Sequence, residues 1–218
     1  YDYVIRREID LSEGDPINQT KIKKINKDLN QLFIFDKIEI TEVFKDDNYK
    51  DLNVNVKETQ TGSFDVGLSL GTLDGISFVS GLKEKNINGT GRSLEFLINT
   101  SEDNKAFTFS TSEKFYLNNK VNHEYSAKYK ENNYSKSKSY KLNTIKFNTN
   151  FGYKFSENIY HNVGLGYALK DYIITDKSTV SSNILKSSGE SISFILSNEF
   201  SLNTLNSYIK PSNGNYIS

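Results

Sequence analysis

Apolar residues change their period once along this chain, at Thr61-Gly62. Before that point they recur mainly at helical spacing; beyond it they alternate, segment after segment, as far as residue 200. A period of two puts successive side chains on opposite faces of a strand. The second part of the chain is therefore constrained to a sheet with one apolar and one polar face, either a soluble sandwich or a membrane barrel.

The first part reads as a small α+β unit. Asp2 is placed to cap a short helix through Ile9, with Val4, Ile5 and Ile9 on one face, and Gly14-Asp15-Pro16 breaks it. Asn18 is a candidate N-cap for a second helix over residues 19–32. Ile22, Ile25, Leu29 and Leu32 make a single apolar stripe along it. Lys21, Lys23, Lys24 and Lys27 line the opposite side, which reads as a solvated helix face rather than a nucleic-acid patch. Residues 37–43 and 51–57 alternate as strands, with Asp46-Asp47-Asn48 as turn chemistry between them.

Eight alternating segments of roughly 9–13 residues follow. Phe64, Val66, Leu68 and Leu70 open the series, and Asp74-Gly75 turns the first hairpin. Leu94, Phe96 and Ile98 continue it, followed by Phe107 and Phe109, then His123, Tyr125, Ala127 and Tyr129. Ile145 to Phe155, Ile159 to Leu169 and Ile192 to Phe200 complete it. Three features favour a membrane barrel over a sandwich. The segments are about as long as the roughly 9–11 residues that a tilted strand needs to cross a bilayer. Connections alternate between tight (Ser156-Glu157-Asn158) and long and polar (171–190). Tyr153, Phe155, Tyr160, Tyr167 and Tyr172 are placed as an interfacial girdle.

Composition excludes several functions. With no Cys there is no disulfide framework, thiolate metal site or Cys nucleophile. Lys+Arg and Asp+Glu both number 27, so the basic surplus expected of a nucleic-acid binder is missing. No run approaches the roughly 18 apolar residues of a transmembrane helix. The chain has no Met and Tyr1 opens straight into charged sequence, which reads as an internal piece of a longer protein. His123 and His161, the two histidines, read as girdle or lumen residues. No nucleophile elbow, P-loop or zinc-protease motif is present. Asp46-Asp47 and Glu102-Asp103-Asn104 read as solvated turn acids. The expectation is a non-enzyme with no catalytic residue, metal or cofactor.

Ordered motifs along nearly the whole chain resemble one family. Residues 4–9, Glu13-Gly14 and residues 29–35 closely resemble the last POTRA domain of the BamA family of outer-membrane β-barrel assembly factors. Residues 56–64 look like that family's crossing into the first barrel strand. Asn88-Gly89-Thr90-Gly91 matches its turn between strands two and three, and residues 163–167 match its seventh strand. Residues 208–215, with Pro211 and Gly214, resemble its link between strands eight and nine. One departure is Phe33, where the family usually has a glycine closing the second POTRA helix in a left-handed cap.

The resemblance implies a POTRA domain without its first strand at 1–60, then the first half of an outer-membrane barrel at 61–218. It implies assembly and insertion of other barrel proteins, with outer-membrane lipoproteins, unfolded barrel substrates and outer-membrane lipid as partners and no nucleic acid. The POTRA domain would lie in the periplasm. Residues 63–71 (Ser63, Phe64, Asp65, Val66, Gly67, Leu68, Ser69, Leu70 and Gly71) become the candidate edge that pairs with substrate strands at a lateral gate. Phe64, Val66, Leu68 and Leu70 should face lipid, and Asp65 and Ser69 the lumen. Arg6, Arg7 and Glu13 become candidate docking residues for a partner. The alternatives are a related TamA-like or two-partner secretion transporter, a small eight-stranded outer-membrane pore, and a soluble β-sandwich.

Overall fold

The computed structural model describes residues 1–46, 49–71, 75–118, 120–156, 158–205 and 212–218. Asp47 and Asn48 of the first turn, Asp74, Glu157 and residues 208–211 therefore lie outside the described residues. Two compact units emerge: Tyr1–Gly62 with Glu84–Ser93, and Ser63–Lys83 with Leu94–Ser218.

The first unit holds α1 (Asp2–Arg6), α2 (Gln19–Asn30), β1 (Phe35–Phe44) and β2 (Lys50–Glu58). Asn18 caps α2, its side chain accepting from the Lys21 N–H at 2.8 Å. This satisfies one of the donors left open at a helix start. Ile25 and Leu29 are buried from the helix stripe, as are Val4 of α1 and Ile34 just before β1. Lys23, Lys24 and Lys27 lie on the solvated side as the pattern required. β1 and β2 pair antiparallel, with Ile38 opposite Val56 and Ile40 opposite Val54 on one face.

Two details of the helices depart from expectation. α1 ends at Arg6 rather than Ile9, and Asp2 sits within its first turn rather than capping it. The Asp2 carboxylate instead pairs with Arg6 one turn on, a spacing that brings the two side chains together on a helix surface. α2 stops at Asn30, and Leu32 lies in the following turn. Phe33 closes that turn with φ 55°, so the left-handed conformation is kept without the glycine.

The second unit is built on a nine-stranded antiparallel sheet whose strands lie in sequence order. Its members are β3 (Gly62–Gly71), β4 (Gly75–Glu84), β5 (Arg92–Ser101), β6 (Asn104–Glu113), β7 (Val121–Asn133), β8 (Tyr140–Lys154), β9 (Ile159–Ile174), β10 (Gly189–Asn203) and the two-residue β11 (Tyr216–Ile217). A helical turn, α3 (Ser135–Lys138), joins β7 to β8, and α4 (Ser182–Lys186) lies between β9 and β10. The strands after β6 outgrow the apolar pattern. The connection foreseen at 171–190 shrinks to 175–188, because Asp171 still pairs with Glu190 and Lys170 with Ser191. Polar residues beyond an apolar band pair their backbones as well as apolar ones do.

Register assigns the faces. Phe109, Ala127, Phe147, Tyr167 and Phe194 form one continuous row across five strands. Thr108, Lys128, Lys146, Ala168 and Ser193 form the adjacent row on the other face. The apolar face therefore runs unbroken and the polar face backs it.

The aromatic girdle is smaller than expected. Tyr153 and Phe155 do lie at one end of the apolar face, stacked around His161 with Phe200. Tyr160 and Tyr172 have the opposite parity and belong to the polar face. Tyr160 lies over Gly152, and Tyr172 packs near Tyr140 with ring centroids 5.8 Å apart. Tyr167 sits in mid-strand. His123 forms a second stack at the same end of the sheet, 4.4 Å from Phe151, with its Nε2 2.8 Å from the Thr149 hydroxyl.

Candidate functional site

β3 is one border of the sheet. A border strand presents a row of backbone N–H and C=O groups that another extended chain can pair with. From Ser63 to Gly71 every residue of this strand is exposed. Phe64, Val66, Leu68 and Leu70 point to one face with 59–84% of their surface open. Asp65, on the other face, is electrostatically coupled to Lys83, which pairs with Glu95 at 2.8 Å. Ser69 shares the parity of Asp65. Gly67 has open space where a Cβ would stand, so no neighbouring group in this sheet demands a glycine there. What Gly67 supplies is low strand stability and room for a close backbone approach.

The other border is unlike it. β11 covers only two residues of β10, pairing Leu202 with Ile217 and Asn203 with Tyr216. Most of β10 is exposed as a consequence.

The three docking candidates separate into two environments. Arg6 is exposed, paired with Asp2, and within the electrostatic reach of Glu13, which is also exposed. Arg7 is half-buried. Its guanidinium lies 5.5 Å from the centroid of the Tyr3 ring and packs against Gly91.

That glycine belongs to a turn whose packing no local pattern reveals. Residues 86–91 fold on themselves, with Asn86 Oδ1 accepting from the Gly91 N–H at 2.7 Å and the Thr90 hydroxyl donating to the Ile87 carbonyl at 2.7 Å. Asn88, Gly89 and Gly91 all have positive φ, which explains the two glycines of the motif. The Tyr3 hydroxyl donates to the Thr90 carbonyl at 3.3 Å, and the Tyr1 nitrogen donates to the Gly89 carbonyl at 2.8 Å. A Cβ at Gly91 would collide with Val4 and with Arg7 Nη2. Arg7 and Tyr3 thus serve to hold a turn, a role visible only once residues some eighty positions apart are brought together.

The polar face carries a second feature that strand-by-strand reading missed. Lys128 and Lys130 of β7, Lys146 of β8 and Lys170 of β9 fall together on it. Among the described residues no group of three or more His, Cys, Asp or Glu is arranged to hold a metal ion.

Comparison with known proteins agrees with this architecture. A family model described as the Omp85 superfamily domain matches residues 86–218. A POTRA model, described as a surface antigen variable number repeat, matches residues 1–59. Outer membrane protein assembly factor BamA of Buchnera aphidicola subsp. Acyrthosiphon pisum is 30% identical over 172 residues, 76% of this chain and 28% of that protein. BamA of Neorickettsia risticii is 27% identical over 218 residues, 98% of this chain and 29% of that protein. The chain spans less than a third of the length of these relatives. Among solved structures, BamA from Haemophilus ducreyi lacking POTRA domains 1–3 superposes with a TM-score of 0.74 at 22% identity, over 97% of this chain and 43% of that one. CdiB from Acinetobacter baumannii gives 0.59 at 15% identity, over 89% and 39%. At these identities the two structures bear on the fold alone. With its POTRA unit, its ordered antiparallel strands and a family model over most of its length, this BamA-like chain belongs to the Omp85 superfamily.

Proposed function

We propose that the chain is part of a non-enzymatic factor that assembles β-barrel proteins into the bacterial outer membrane. In this reading the apolar face of the β3–β10 sheet meets lipid, the polar face lines the barrel lumen, and the POTRA unit stands in the periplasm. Strand β3 is the template edge of a lateral gate, and an incoming strand gains backbone hydrogen bonds by adding to it. The carrying observation is the border position of β3, exposed from Ser63 to Gly71 along an unbroken ten-residue strand.

The POTRA unit acts as a docking platform for outer-membrane lipoproteins and unfolded substrates. Exposed Arg6 and Glu13 are the charges available to a partner, while Arg7 supports the surface from behind. The small eight-stranded pore is disfavoured, because β11 adds to β10 as a ninth strand and β3 and β10 are not neighbours.

Cysteines placed at Ser63 and Ser69 of the full-length protein test the edge. They should trap substrate strands in disulfide or maleimide cross-links during insertion. An active protein that never cross-links there would refute the template role. Charge reversal at Glu13 should weaken lipoprotein binding, and unchanged binding would remove that residue from the docking surface.

A further inference from the structure

Among the described residues the lysine cluster on the polar face has no acidic partner. Lys128 stands directly opposite Lys146, and Lys130 and Lys170 flank Thr144 in the adjoining row. Cross-strand neighbours complete the surroundings with Ala106, Thr108, Ala168, Ser191 and Ser193, none of them acidic. Among the described residues the four lysines form no ion pair with a carboxylate. Like charges directly opposite one another on a sheet destabilise it. A cluster of this kind is tolerable where a polyanion neutralises it. Elsewhere on this sheet lysines do find acids, as Lys83 does with Glu95 and Lys105 with Glu131.

We infer that Lys128, Lys130, Lys146 and Lys170 form a docking surface for an acidic, extended polypeptide segment inside the barrel. The spacing suits that occupant. Lys128 and Lys130 are two residues apart on one strand, so their Cα atoms are separated by about 7 Å along it. Carboxylates at alternate positions of an extended segment repeat at the same interval and project to one side. Hydroxyl groups of Thr108, Thr144 and Ser193 around the lysines offer further hydrogen bonds without competing charge. The inference rests on the reading that the polar face lines the lumen.

The test uses the full-length protein in lipid nanodiscs and a fluorescent peptide of five Glu-Ser repeats. A Gln-Ser peptide of equal length is the uncharged control. Removing three charges in Lys128→Gln/Lys146→Gln/Lys170→Gln should weaken binding of the Glu-Ser peptide about tenfold, with the difference shrinking at high salt. The triple change Lys23→Gln/Lys24→Gln/Lys27→Gln removes as much charge from the α2 surface, and should leave binding within about twofold. Equal affinity in wild type and the triple variant, or a larger loss from the α2 variant, would overturn the docking surface. Displacement by micromolar pyrophosphate would assign the cluster to phosphate anions and overturn the peptide as its occupant. The face itself is checked separately. A cysteine in Lys128→Cys should react with a water-soluble maleimide, while one in Phe147→Cys on the apolar face should be shielded by lipid. The reverse pattern would overturn the lumen assignment and the docking surface with it, whereas the expected pattern without peptide binding would sink the docking surface alone.

Discussion

Phe33 occupies a conformation that its side chain resists. At φ 55° the Cβ of an L-residue crowds the following carbonyl, at a cost of roughly 1–2 kcal/mol. Its ring does little to compensate. It is 69% exposed, and its identifiable contact is the Lys85 ammonium 5.8 Å from the ring centroid, worth about 0.5–1 kcal/mol at such an open site. The conformation is imposed from both sides. The Phe33 N–H donates to the Asn30 carbonyl at 3.2 Å to end α2, and Ile34, next in sequence, is buried in the core.

Two substitutions separate strain from contact. Phe33→Ala removes the ring but keeps the Cβ, so it should cost about 0.5–1 kcal/mol. Phe33→Gly also removes the ring and relieves the strain, against a glycine entropy cost of roughly 0.5–1 kcal/mol. Glycine should therefore exceed alanine by about 0.5–1 kcal/mol and lie close to the native Phe. Hydrogen exchange with mass-spectrometric readout on the full-length protein in detergent measures this locally. Amides of α2 should exchange about two- to fivefold more slowly in the Gly variant than in the Ala variant. Equal protection, or better protection in the Ala variant, would show that the left-handed turn carries no strain and refute the reasoning.

Other consequences can be checked more briefly. Leu29 is fully buried, so Leu29→Ala should destabilise the first unit by about 2–5 kcal/mol, read as a lower denaturant midpoint for loss of helical circular dichroism. A Cβ at Gly164 would collide with the side chains of Asn150 and Ser197 on adjoining strands, so Gly164→Val should cost about 1–3 kcal/mol in detergent unfolding, whereas Gly67→Val, with open space around it, should not. Asp176, between β9 and α4, is held below its ordinary carboxylate range by the Ser178 hydroxyl and N–H and by the Thr179 hydroxyl. A depressed pKa means that this stabilisation is present above the ordinary range and lost as pH falls through the folded value. Acidification below about pH 4 should therefore lower exchange protection at residues 175–180, taken relative to the intrinsic rate at each pH, and Asp176→Asn should abolish that loss.

Much of the architecture was legible because it depends on local period and capping chemistry. The Asn18 cap, the Ile25–Leu29 stripe and the two-faced strands follow from spacing that one element enforces on itself. Parity also placed Phe64 and Asp65 on opposite sides of β3. What stayed hidden depends on neighbours. Tyr160 and Tyr172 looked like girdle residues by position, yet one residue of register assigns them to the polar face. The ends of β8, β9 and β10 were underestimated because backbone pairing continues past the apolar band. Arg7 looked as available as Arg6, but the partner that half-buries it lies beyond the next four strands in sequence. The lysine cluster was spread over three strands and only their register assembles it.

The turn carrying Gly89 and Gly91 bears on the order in which this chain can mature. The first compact unit is discontinuous, since it recruits Glu84–Ser93 after an excursion of more than twenty residues through β3 and β4. During synthesis α1 emerges early but lacks its cover until that return segment is available. The Lys85 N–H donating to the Thr61 carbonyl at 3.2 Å closes the excursion into a loop. Closing it costs chain entropy that grows only slowly with length, so the hairpin can be long without weakening the closure greatly. Cutting the protein at Gly62 would then yield a body missing one of its own pieces. Maturation of the first unit is thereby made contingent on the first hairpin of the sheet having been made.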